Sequence, residues 1–230
     1  MDTNASPIER YLTPIAVIVG AGLIALAVAY GQGGSVGTKT PIEGETYAEV
    51  LSAAAEANDI DAEVVAAKAE EKRAAYEALI AASRDQGASL GINGTPTVIL
   101  GNETVAGLDP ALLDKLAAAT ANPVTPSATD LIAKVTTAGE PYVGDPNAPV
   151  TMAYYYDYQC GFCHQFMREV MPVIFEQYVT TGKLKIVIKD FQFLSPDSVE
   201  GAVYGRALWE VDPTRHFGWF MALGQLDASH

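Results

Sequence analysis

Cys160 and Cys163 are the only cysteines in the chain, and they enclose Gly161 and Phe162. Two thiols at this spacing suit a reversible disulfide, in which one thiolate attacks a target sulfur and the other resolves the mixed disulfide. Val150 to Tyr156, just before the pair, is rich in β-formers, and a helix is predicted after it, with Phe166, Val170, Ile174 and Phe175 facing inward. A thiol in the first turn of a helix meets unpaired N–H groups and the positive end of the helix dipole. Both favour thiolate, so Cys160 is expected to have a lowered pKa. Cys163 lies one turn further in and is expected to be more buried and less nucleophilic. In this scheme Cys160 exchanges with substrate, and Cys163 resolves or re-forms the internal disulfide.

Other elements must hold this pair. Leu184 to Phe191 alternates in the manner of a strand. Thr95 to Leu100 is a second β-type run, entered through Gly94-Thr95-Pro96-Thr97. Gly101-Asn102 then reads as a turn and Glu103 to Ala106 as a hairpin partner. Helices are expected from Thr46 through Ala54, from an Asp61 cap to about Gln86, and after Asp109-Pro110 through Leu112, Leu113 and Leu116. Residues 121–149 carry five prolines and read as connection, with a short strand at Leu131 to Val135. Pro172 predicts a kink, and Pro196–Glu210 and Pro213 to about Leu226 read as further helices.

Tyr11 to Tyr30 contains no charged residue. About twenty residues at 1.5 Å each match the ~30 Å hydrocarbon core of a bilayer. Residues 1–10 then form a short tail, 11–30 a transmembrane anchor in contact with the lipid bilayer, and 31–45 a Gly-, Thr- and Ser-rich tether. The competing reading is a signal peptide cleaved near Ala27-Val28-Ala29. Either fate exports the remainder to a compartment where disulfides persist, so the expected location is a single-pass membrane protein with an extracytoplasmic catalytic domain. A formal charge of −14 argues against nucleic acid as a partner, because phosphate contacts need Lys and Arg clusters. Two cysteines are also too few for a disulfide-stapled scaffold.

The stretch Gly144-Asp145-Pro146-Asn147-Ala148-Pro149-Val150, with Asp157-Tyr158-Gln159-Cys160-Gly161-Phe162-Cys163 beyond the strand, resembles the thioredoxin superfamily, specifically its DsbA-like branch. So do Lys189-Asp190-Phe191 and Gly91-Ile92-Asn93-Gly94-Thr95-Pro96-Thr97-Val98-Ile99-Leu100. The resemblance implies an α/β thioredoxin fold with a helical insertion and a thiol:disulfide oxidoreductase activity on protein thiols and disulfides. It implies no cofactor, and a separate redox partner that resets the pair. Cys160 and Cys163 would be catalytic. Thr95, Pro96, Gly161 and Phe162 would meet substrate, with Pro96 cis beside the cysteines, and His164 and Asp190 would be accessory. The resemblance also exposes departures. Tyr154 stands six residues before Cys160, where many members carry a buried carboxylate. The intervening pair lacks the histidine of strongly oxidising members.

The family segments come in reversed order. Residues 46–120 correspond to the family's C-terminal part, 121–149 connect, and 150–230 correspond to its N-terminal part and the start of its insertion. A circular permutation is the preferred explanation, since each element appears once and thirty connecting residues at ~3.3 Å each span a domain with ease. A domain-swapped dimer and a truncated tandem are its rivals.

Two other function classes remain open. Cys160-Gly161-Phe162-Cys163-His164 is formally a c-type haem attachment motif, with Met167, Met171 or His216 as distal ligand. A non-catalytic binding module on the same scaffold is the other. Phe191, Phe193, Trp209, Phe217, Trp219 and Phe220 read as core packing in preference to a peptide groove. Asp190 reads as a surface or cap residue in preference to one facing the cysteines.

Overall fold

The structure is a computed structural model that describes residues 46–225; the expected tail, anchor and tether of residues 1–45 lie outside the described residues. Among the described residues no helix is long and apolar enough to cross a membrane.

Helix α1 (Tyr47–Glu56) starts at a capping box, in which Thr46 and Glu49 satisfy each other's backbone N–H groups. Helix α2 (Ala62–Ser89) starts at Asp61, whose side chain accepts from Val64 N, as the sequence predicted. Strands β1 (Thr97–Leu100) and β2 (Glu103–Ala106) form the expected hairpin. Helix α3 (Ala111–Ala121) follows, with Leu112, Leu113 and Leu116 buried. The predicted strand at Leu131–Val135 is instead a single helical turn, α4 (Leu131–Lys134). The hairpin turn anchors it: Leu131 N donates to Asn102 Oδ1 and Ile132 N to the Gly101 carbonyl. Its apolar residues therefore pack on the sheet and do not extend it. The edge position belongs to β3 (Tyr142–Val143).

Strand β4 (Val150–Tyr156) leads to α5 (Gly161–Glu169). The expected break at Pro172 takes the form of a short α6 (Met171–Ile174) continuing into a π-helical turn at Phe175–Val179. Strand β5 (Leu184–Asp190), α7 (Pro196–Val211) and α8 (Pro213–Leu223) complete the order.

All strands join one five-stranded sheet in the order β2-β1-β4-β5-β3. Strand β4 lies at its centre, parallel to β5 and antiparallel to β1. An antiparallel neighbour starts where its partner ends. The segment entering β1 is thus brought to the C-terminal end of β4, with Thr97 opposite Tyr155. The period of two then divides the strand's aromatic residues. Tyr154 and Tyr156 face Phe166 and Phe220 on one side of the sheet. Tyr155 faces the other side, in a cluster with Ile92, Ile99, Ile132, Val135 and Phe191.

Candidate functional site

Cys160 is the N-cap residue of α5, so its side chain sits over the open N–H groups of the first turn. Both cysteines are thiols and both are buried, Cys163 completely. The Cys160 thiol donates to the carbonyl of Thr95 at 3.3 Å, and Thr95–Pro96 is a cis peptide. Residues 65 positions apart along the chain thus meet at one sulfur. Gly161 is exposed, and Phe162 projects from the helix start with 65% of its surface open. The helix start therefore presents an exposed apolar side chain beside the cysteines.

The two sulfurs are electrostatically unequal. Cys160 is pulled down to about 6, chiefly by a hydrogen bond from Cys163. Burial opposes the shift, while the Thr95 side chain and the N–H groups of Phe162 and Cys163 reinforce it. Burial pushes Cys163 well above the ordinary thiol range, and the adjacent Cys160 adds to that effect. The sequence anticipated this asymmetry from the helix start. It did not show that the neighbouring thiol is the largest cause.

Asp157 was not singled out from the sequence, yet it holds the site's frame. It is fully buried, and its carboxylate accepts from Gln159 N, Phe193 N, Leu194 N and the Ser198 hydroxyl at 2.6–3.1 Å. One side chain therefore fixes both the turn into Cys160 and the loop carrying the exposed Phe193 and Leu194. Gln192 ties the same loops a second time by accepting from Tyr158 N. The Tyr158 ring lies against Gly201 on α7, where an added Cβ would come within 2.6 Å of it, so no other residue fits there. In the sequence Asp157 stood only as the first residue of the stretch that resembles the family, with no role of its own.

The remaining expectations divide. His164 is buried on α5, and its Nε2 lies 2.9 Å from the Tyr158 carbonyl, an engagement directed at the backbone of the β4–α5 turn. Met171 and His216, invoked as distal haem ligands, are buried in the core. Asp190 is neither on the surface nor a cap. It is buried and ion-paired with Arg206 at 2.7 Å, within a cluster that adds Glu140 and Lys189. Burial raises the Asp190 pKa, and Arg206 opposes that rise. Phe217, Trp219 and Phe220 are core residues as expected; of the aromatic set, Phe193 is the one that is half exposed.

Two family models match separate parts of the chain: a DSBA-like thioredoxin domain over residues 43–119, and a thioredoxin model over residues 136–227. A probable disulfide bond formation protein D of Bacillus cereus is 31% identical over 70 residues, which cover 30% of this chain and 32% of that protein. The disulfide bond formation protein D of Bacillus subtilis is 29% identical over 75 residues, covering 33% and 34% respectively. The crystal structure of oxidised BdbD from Bacillus subtilis aligns over 41% of this chain and 51% of that one, with 24% identity and a TM-score of 0.40. The chain spans about a third of the length of the curated relatives it matches.

Proposed function

Since this chain is a DsbA-like member of the thioredoxin superfamily, we propose that it is a thiol:disulfide oxidoreductase acting on protein thiols and disulfides. Cys160 is the exchanging nucleophile and Cys163 the resolving thiol. Thr95 and Pro96 hold the substrate chain beside Cys160, and Gly161 and Phe162 line the approach. One observation carries this reading: a buried thiol at a helix N-terminus meets the carbonyl of Thr95, with a second, higher-pKa thiol one turn behind it. Similarity to proteins named for disulfide bond formation supports the same chemistry.

The chain order is read as a circular permutation. Support comes from the two family models, which match in succession along one chain, and from the single sheet in which residues 97–100 pair with residues 152–155. A permutant completes its site within one molecule, so sedimentation of a monomer fits this reading and an obligate dimer fits a swap. The uncharged run Tyr11–Tyr30 is read as a membrane anchor that leaves the catalytic domain extracytoplasmic, on the length argument above. Resistance of the full-length protein to alkaline extraction from membranes tests that part.

The thiolate sets the redox character as well. With Cys160 near 6, between thioredoxin at about 7 and DsbA at about 3.5, the pair is expected to have a potential between their ~−270 and ~−120 mV. The functional test is insulin reduction and oxidative refolding of a reduced protein. The expected result is activity in the wild type and loss to background in Cys160→Ser. Equal activity in the two would refute the assignment.

A further inference from the structure

The mechanism above leaves one buried polar group at the site unused. Tyr154, at the middle of β4, is fully buried, and its hydroxyl has no hydrogen-bond partner. Its ring stacks on Phe166 at a centroid distance of 4.9 Å and on Tyr156 at 5.8 Å, so it is clamped in place. Phe166 lies three residues beyond Cys163 on α5, on the same face of that helix. A ring packed on Phe166 therefore lies along the helix face that carries Cys163, and after burial Cys163 is the strongest electrostatic influence on the hydroxyl, followed by Cys160.

We propose that the Tyr154 hydroxyl is a hydrogen-bond donor to the Cys163 sulfur and stabilises its thiolate whenever the Cys160–Cys163 bond opens or closes. This inference rests on the oxidoreductase reading. In the oxidising direction a substrate thiolate attacks Cys160 Sγ. A bond forms between the substrate sulfur and Cys160, the Cys160–Cys163 bond breaks, and its electron pair remains on Cys163. A second substrate thiolate then attacks the substrate sulfur of the mixed disulfide and releases Cys160 as a thiolate. The enzyme disulfide gains two electrons and the substrate dithiol loses them. Of the two substrate protons, one ends on Cys163 and one in solvent. The difficult moment is the appearance of negative charge on Cys163, which is fully enclosed. A donor already in place there needs no reorganisation when the charge forms. The phenol keeps its own proton throughout, because burial raises its pKa well above the ordinary value. In the dithiol, turning the same hydroxyl onto Cys163 polarises its S–H, which strengthens its hydrogen bond to the Cys160 thiolate.

Tyr154→Phe removes the hydroxyl and keeps the ring. Tyr155→Phe is the control: it removes an equally buried and unpartnered hydroxyl from the opposite face of the same strand. In the full-length protein, Tyr154→Phe is expected to slow the steps that make or break the internal disulfide about tenfold. The midpoint of Cys160 alkylation should rise by roughly half a unit, with Tyr155→Phe like wild type in both respects. A second readout is independent of turnover: in a Cys160→Ala background, thiolate absorbance should titrate at higher pH once Tyr154 is Phe. Wild-type rates and titration in Tyr154→Phe, or equal losses in Tyr155→Phe, would overturn the inference while leaving the enzyme assignment standing. A wild type with no exchange activity would remove the assignment itself.

Discussion

Strands β4 and β5 run side by side, and their C-terminal ends treat buried polar groups in opposite ways. At the end of β5, Asp190, Lys189, Glu140 and Arg206 are buried together, and each has an oppositely charged partner within 2.8 Å. At the end of β4, two sulfurs are buried, and the buried Tyr154 hydroxyl has no hydrogen-bond partner. The first region is satisfied, and its chemistry is spent on holding β5, α7 and the segment around Glu140 together. The second keeps a deficit. A thiolate held by donors at a helix start and an enclosed thiol that burial keeps protonated at rest are what a reversible disulfide requires. Reactivity here comes from a hydrogen-bond account left open, next to one that is closed.

If the two regions are separate in role, breaking the closed one should cost stability without touching the thiolate. Arg206→Met leaves Asp190 without its ion-pair partner, and removing one side of a buried pair costs about 3–5 kcal/mol. Denaturant unfolding should show that loss, while the midpoint of Cys160 alkylation stays near 6. A shift of that midpoint would show that the two regions are coupled.

Asp157 sharpens the comparison, because it is a satisfied group inside the reactive region. Asp157→Asn turns an amide N–H toward donors that now meet a carboxylate, a loss of about 1.5–3 kcal/mol for hydrogen bonds to a charged group. The variant is expected to be less stable and to expose the 193–194 loop to protease. Unchanged stability and protection would show that the loop is held by other means.

His216 gives an effect graded with pH, and a small one per unit. It is buried among Trp209, Trp219 and Phe220, and burial, with help from Arg206, lowers its pKa from 6.5 to about 3. Between those values the unfolded chain binds a proton that the folded chain refuses. Stability from this group is therefore complete above about 6.5 and is lost as pH falls toward 3, at about 1.4 kcal/mol per unit. His216→Phe should flatten that part of the pH–stability curve. An unchanged slope would place the acid sensitivity elsewhere.

These contrasts mark where the sequence was readable. The helix start at Cys160, the Asp61 cap and the β1–β2 hairpin were legible because each depends on neighbours a few residues away. The turn at Leu131–Lys134 was misread because a four-residue apolar run has no period long enough to separate strand from helix. Asp190 was misplaced because its partner Arg206 lies 16 residues away, with nothing local to announce it. Tyr154 was legible as a departure from a family pattern, but what its hydroxyl faces follows only from the stacking on Phe166.

The central claim is that Cys160 is the thiolate nucleophile and Cys163 its enclosed partner. The direct measurement is alkylation of the fully reduced, full-length protein across pH, with the modified cysteine identified by peptide mapping. The account predicts that Cys160 reacts first, with a midpoint near 6 and a rate falling about tenfold per unit below it, while Cys163 stays unmodified. A midpoint near 9 for Cys160, or modification of Cys163 ahead of it, would contradict the account.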